Sequence, residues 1–182
     1  MSENEENQEI ESLGEFGLID LLTNNVELRN ESSLKGVGDD AAVISVNENI
    51  LSLLSADMLV EGVHFNLSYM PLKSLGFKAV SVNVSDILAM NGDPEQVTVS
   101  LGVSSKFPVE ALKELYKGIH AACEFYHVDL VGGDTTSSYS GLIISISVLG
   151  KTDSEKIAYR NGAKENDLLL VTGDLGSSYL GL

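Results

Sequence analysis

The sequence predicts an α+β domain, a mixed sheet with helices packed on one face, from three observations. Two segments opened by proline, Pro71–Met90 and Pro108–Tyr126, carry apolar residues at helical spacing. Other segments, such as Gln96–Val103 and Leu142–Leu149, alternate between apolar and small polar residues, as half-buried strands do. The order of elements is helix, two strands, helix, strand, helix, strand, strand, which lacks the strict alternation of a wound parallel sheet.

Residues 1–11 are polar and acidic and are expected to be disordered. Ser12-Leu13-Gly14-Glu15 has capping-box spacing and opens a helix with Phe16, Ile19, Leu22 and Val26 on one face. Asn30–Lys35 reads as loop. Gly36-Val37-Gly38-Asp39-Asp40 then leads into a strand through Ile44. Residues Ile50–Phe65 read as a second strand, closed by His64. In the Pro71–Met90 helix, Leu72, Leu75, Ala79 and Val82 form one stripe, and Val80, Val84, Ile87 and Leu88 cover much of the rest. A helix apolar nearly all round is normally buried.

Asn91-Gly92-Asp93-Pro94 is a turn signal. The second long helix has Val109, Leu112, Tyr116, Ile119, Cys123 and Tyr126 on its stripe. Val128–Val131 is a short strand running into Gly132-Gly133-Asp134-Thr135-Thr136. Leu168–Thr172 reads as a last strand before Gly173, and Gly176 and Gly181 flank the start of a helix. The domains expected are a 12–150 core and a 151–182 stretch that begins a further domain.

Composition limits what such a domain does. At 182 residues and 43% hydrophobic it buries a real core. A formal net charge of −16 with no basic run argues against nucleic acid or an anionic membrane as partner. Phosphate, if handled, needs cations to neutralise it. The first basic residue is Arg29, no apolar run reaches membrane-spanning length, and Cys123 is the only cysteine, which together suit a cytoplasmic protein. Neither CxxC nor HExxH occurs, so zinc has little support.

The residues that ask for chemistry are carboxylates. Asp86 lies one turn after Val82 on a stripe that should face the core, with no basic residue nearby. A buried carboxylate is costly unless donors or cations meet it. Of the adjacent Asp39 and Asp40, only one can look into a given site. Ser55 and Asp57 are two apart and share a strand face. Asp134 follows two glycines at a strand end, where exposed N–H groups and a carboxylate suit phosphate and metal. His64 and Tyr116 read by default as packing residues. Together these hard oxygen groups suit several Mg²⁺ ions on a nucleotide's phosphates.

Five segments carry a resemblance: GVGDDAAVI, LLSADMLVEGVHF, KAVSVNVSDILAMNGDP, VDLVGGDTT and YRNGAKENDLLLVTGDLG. In this order they closely resemble the thiamine-monophosphate kinase family, within the aminoimidazole ribonucleotide synthetase (PurM-like) superfamily. The resemblance implies ATP-dependent phosphorylation of thiamine monophosphate to thiamine diphosphate. It implies Asp40, Ser55, Ala56, Asp57, Asp86 and Asp134 as Mg²⁺ ligands, with Ala56 standing where a threonine is common. Tyr116, Gly133, Asp134 and Arg160 match ATP contacts, and His64 matches a substrate contact. It also implies a four-stranded sheet whose free face pairs with a twin domain in a homodimer, and a second domain beyond this stretch. A selenophosphate synthetase is disfavoured because no cysteine lies near the N-terminus, and a hydrogenase-maturation dehydratase because none lies at the C-terminus. A non-catalytic nucleotide-binding or dimerisation module is the remaining alternative.

Overall fold

The computed structural model of the chain describes residues 10–181, without the side chains of residues 10–12, 178 and 179. The disorder expected of the acidic head therefore falls mostly outside the described residues. Helix α1 (Ile10–Thr23) begins inside that head and is broken at Gly14, within the capping-box sequence. Six strands follow: β1 (Ser33–Lys35), β2 (Ala42–Ser45), β3 (Ile50–Val60), β4 (Asp93–Val103), β5 (Asp129–Ser137) and β6 (Ile143–Asp153). Two long helices, α2 (Leu72–Ala89) and α3 (Val109–Tyr126), flank β4 in sequence, and a single turn, α4 (Ser177–Leu180), lies near the end.

The strands form one sheet in the order β1-β2-β3-β6-β4-β5. Only β4 and β5 are parallel, joined through α3, so the sheet is mixed, as the sequence predicts. It has six strands where the resemblance implied four. The residue-by-residue reading had five of the six; the one it lacked is β1, read as loop, since a three-residue edge strand is too short to show a period. β5 runs on through the glycines to Ser137, and β6 continues to Asp153, past the boundary drawn at residue 150.

Strand alternation sorts the sheet into a covered and an open face. Leu51, Leu53 and Leu59 of β3, Val97, Val99 and Leu101 of β4, and Ile144, Ile146 and Val148 of β6 are buried beneath the helices. Burying each such side chain stabilises the fold by roughly 1.5–3 kcal/mol. Leu54, Met58 and Leu149 point the other way and stay exposed. The buried row of α2 is Leu75, Ala79, Val80, Asn83, Val84 and Ile87, with Leu88 outside it and Val82 only half-buried. That of α3 is Leu115, Ile119, Ala122 and Cys123, with Val109 exposed. Both stripes are rotated from the sequence reading because each helix packs on the other as well as on the sheet. Where they cross, Gly76 and Gly118 allow backbone against backbone: a Cβ on Gly76 would stand 2.1 Å from the Leu115 carbonyl oxygen.

Two further expectations are corrected. The strand from Ile50 stops at Val60, so His64 lies in the following turn. Leu168–Thr172 forms no strand; Leu168, Leu169 and Leu170 are 87%, 93% and 83% exposed. No described strand lies beside them to complete a hydrogen-bond ladder.

Candidate functional site

An acidic cleft of about 430 Å³ opens where the bend before β2, the middle of β3 and the last turns of α2 meet. It is lined by Asp39, Asp40, Ser55, Ala56, Asp57, Asp86 and Arg160, with Glu15, Phe16, Ile19 and Asp20 of α1 along one wall. Asp39 and Asp86, 47 positions apart in sequence, thus share one concavity only because the fold brings α2 across β3. Both Asp39 and Asp40 line the cleft, against the expectation that only one could, because they sit in a bend rather than on a strand; what separates them is their surroundings. The Asp39 side chain is fully buried and accepts a hydrogen bond from Lys35 Nζ at 2.5 Å. It also accepts from the backbone N–H groups of Asp40 at 3.1 Å and Arg160 at 3.2 Å. Burial alone would raise its carboxyl, but Lys35 and those N–H groups hold it below the usual range. Asp40 is partly exposed and is paired with the Arg160 guanidinium at 2.5 Å. Asp40 holds the Arg160 guanidinium above its ordinary value in turn.

Asp86 stands half-buried across from β3. Ser55 Oγ donates to its Oδ2 at 2.6 Å. Burial pushes the carboxyl up, and Asp57 and Asp40 add to the rise, while the Ser55 hydrogen bond and Arg160 oppose it. A residue missed at the sequence level organises this contact. Asn83 is buried one turn before Asp86; its Oδ1 accepts from the Asp57 backbone N–H at 2.9 Å and its Nδ2 donates to the Ala79 carbonyl at 2.9 Å. The signal was present, since an asparagine inside an apolar helix face needs partners. Met90, at the end of the same helix, accepts from the Ala41 N–H through its sulfur at 3.1 Å and ties down the Asp39–Asp40 bend.

Gly133, Asp134 and Tyr116 lie elsewhere, in a second cleft of about 340 Å³ that Val99, Gly132 and Thr135 complete. Gly133 has φ 154°, and a Cβ there would stand 1.7 Å from the Val99 carbonyl oxygen, so no side chain fits. His64 belongs to neither set of lining residues. It is exposed, its Nδ1 accepts from the Val60 N–H at 3.0 Å, and Lys78 Nζ donates to its carbonyl at 3.1 Å. With Nδ1 accepting that N–H, Nε2 is the ring nitrogen free to donate.

The structure thus gathers Asp40, Ser55, Ala56, Asp57, Asp86 and Arg160, and sets Tyr116, Gly133 and Asp134 apart from them. Among the described residues no three His, Cys, Asp or Glu side chains already stand as a ready-made metal cage. The donor chemistry nonetheless fits a hard divalent cation: carboxylate and hydroxyl oxygens, mutually repelling, with Arg160 as the cation lining the cleft.

The raised carboxyl of Asp86 sets a stability expectation. Its folded value lies above its unfolded one, so the native state binds the proton more tightly. Its contribution to stability falls as pH rises through that window, and at neutral pH the carboxylate costs stability. Asp86→Asn, which still accepts from Ser55, should therefore melt at or above the wild-type temperature in EDTA at neutral pH. A clear drop in Tm there would make Asp86 a purely structural acceptor.

A two-layer α+β domain with a mixed sheet, helices on one face and carboxylates gathered at the helix-covered side defines a PurM-like fold. The chain belongs to the AIR synthase related protein family, N-terminal domain, which residues 38–152 match. It is 39% identical over 170 residues to the thiamine-monophosphate kinase of Bacillus subtilis, covering 93% of this chain and 52% of that protein. It is 40% identical over 173 residues to the thiamine-monophosphate kinase of Aquifex aeolicus, covering 95% and 53%. The chain spans about half the length of these curated relatives. A solved structure of AaThiL complexed with AMPPCP and TMP superposes with a TM-score of 0.74 at 37% identity, covering 86% of this chain and 47% of that one. Among the described residues, no helix is long and apolar enough to cross a membrane.

Proposed function

We propose that this chain forms the nucleotide- and metal-binding part of an enzyme that phosphorylates thiamine monophosphate to thiamine diphosphate with ATP. The observation that carries the reading is the convergence of Asp40, Ser55, Asp57 and Asp86 from three parts of the chain into one cleft. Its relatives bear that activity in their names, and AaThiL was solved with a nucleotide analogue and TMP.

Asp40, Ser55, Asp57 and Asp86, with the Ala56 backbone, would hold Mg²⁺ in the acidic cleft, and Asp134 in the second. Bound Mg²⁺ would supply charge neutralisation on the phosphate oxygens. Arg160, already over the cleft, offers two parallel N–H donors to a phosphate. Gly133, whose missing side chain leaves room for the Val99 backbone, would present its main chain to the phosphates, and Tyr116 beside it would provide an aromatic flank for the base. Nε2 of the exposed His64 would donate to the acceptor substrate. Phosphoryl transfer rests on positioning and charge, so no nucleophilic side chain or strong base is required. The buried, unpaired Cys123 suits a reducing cytoplasm.

Titration with AMPPCP tests the reading. Binding should be seen with Mg²⁺ and be lost in EDTA. Equal affinity in both would end the metal-dependent account and leave the metal-free nucleotide module.

The open face of the sheet carries the second part of the proposal, a homodimer. Leu54, Val131 and Leu149 border one shallow depression on it, and Met58, 55% exposed, lies on the same face. A second copy presenting the same face would cover these side chains. Sedimentation should give a dimer at micromolar concentration that Leu149→Lys shifts toward monomer. A wild-type monomer at that concentration would refute it.

A further inference from the structure

Arg160 reaches the acidic cleft from the point where the chain leaves the body of the domain. After β6 the chain is held up to Ala158: Ser154 bonds to the Glu48 and Asn49 carbonyls, Asn91 Nδ2 donates to the Lys156 carbonyl at 2.9 Å, Ile157 packs on the core, and the Ala158 N–H donates to the Met90 carbonyl at 3.1 Å. Residues 158–177 are otherwise exposed throughout. The next anchor is Asp39. Its side chain, wholly buried, receives the Arg160 backbone N–H, while Lys35 Nζ donates to the same carboxylate and stands 4.5 Å from the Tyr159 ring centroid. Asp39 also precedes Asp40, whose carboxylate meets the Arg160 guanidinium. One buried carboxylate therefore fixes the backbone at both ends of the Asp40–Arg160 pair.

We infer that Asp39 is a positioning residue: with Lys35 it pins the 158–160 segment and so holds the Arg160 guanidinium over the cleft. Its consequence for ligand binding rests on the nucleotide reading above; the pin itself does not. Asp39 need not touch the ligand. It acts through the Arg160 N–H, and removing it frees the segment while leaving the Arg160 side chain intact.

The test uses trypsin on the ligand-free chain, with cleavage after Arg160 followed by mass spectrometry, and AMPPCP titration in Mg²⁺. Asp39→Ala should speed cleavage after Arg160 at least about tenfold, because local opening exposes that bond. Val148→Ala, a buried change on β6 that touches neither Asp39 nor Arg160, serves as the control for general loss of stability. AMPPCP affinity should fall about tenfold in Asp39→Ala, and that loss should vanish in an Arg160→Ala background, since a residue acting through another is not additive with it. Cleavage no faster than in Val148→Ala overturns the inference, as does an affinity loss undiminished by Arg160→Ala. If Asp39→Ala does not fold, Asp39→Asn, which keeps one acceptor and loses the charge facing Lys35, carries the same measurements. AMPPCP binding that ignores Mg²⁺ in the wild type would fell the nucleotide reading alone, with the cleavage comparison still deciding the pin.

Discussion

Gly118→Ala should cost more than about 3 kcal/mol of stability, beyond the common range for overpacking, because nothing at that site can yield. The new Cβ would stand 1.9 Å from the Lys73 carbonyl oxygen and 2.9 Å from the Phe77 nitrogen, both backbone atoms of α2. A side chain in the way would rotate aside; a helix backbone moves only with its whole core. The two helices would have to part, loosening the packing of Leu75, Ile119 and Ala122. Such a loss is a large share of the roughly 5–15 kcal/mol by which domains are stable. Urea unfolding measures it, with Gly132→Ala as the comparison, since a Cβ there meets nothing within 4 Å. If both variants unfold at the same urea concentration, the close helix crossing is not what the structure depends on.

The second large effect concerns turnover. The 182-residue chain should hold AMPPCP in Mg²⁺ yet phosphorylate thiamine monophosphate orders of magnitude more slowly than the Bacillus subtilis relative, of which it spans 52%. The proposed phosphate and metal contacts come from Asp40, Ser55, Asp57, Asp86, Asp134 and Arg160. For the acceptor, only His64 is proposed, and it lies on an exposed turn apart from both clefts. Holding two phosphates in line is worth about 7–11 kcal/mol of barrier, and a site that grips one partner firmly and the other barely forgoes most of that. Mass spectrometry of products from ATP, Mg²⁺ and thiamine monophosphate gives both rates. Comparable turnover would show that this chain suffices and that the acceptor is held by residues not identified above.

What the sequence disclosed follows the strength of its periodic signals. Both long helices and the strands β3, β4 and β6 are legible because proline marks their starts or because alternation runs long enough to count. β1 is three residues with no period. The buried rows of α2 and α3 were legible in part: Leu75, Ala79, Val80, Val84, Ile87, Ile119 and Cys123 are buried as read, while Leu88 and Val109 are exposed. Each helix answers to two neighbours, and glycine, which sets that second contact, adds no hydrophobicity to a pattern. Leu168–Thr172 shows the reverse error, an apolar run that reads as a strand and stands exposed. In the site, Asp86 and the Ser55–Asp57 spacing pointed to a shared cleft. The division between Asp39 and Asp40 was not legible, since it depends on Lys35 and on Arg160, 121 residues away. The role of Asn83 was not legible because an asparagine on a helix carries no ligating signal, and that role, holding the Asp57 N–H, exists only once α2 lies across β3.

The pairing register carries a metric consequence. Asp57 of β3 lies opposite Ile146 of β6, Ile146 opposite Val99 of β4, and Val99 opposite Gly133 of β5. The acidic cleft and the Tyr116 cleft are therefore two stations on one straight row that crosses the strands. Three interstrand steps separate them, about 14 Å. That gauge is made of backbone hydrogen bonds and does not lengthen or shorten when side chains change. Under the proposed function, a molecule touching both clefts would have to lie across the strands and span that interval, a length requirement set by the ladder rather than by any side chain.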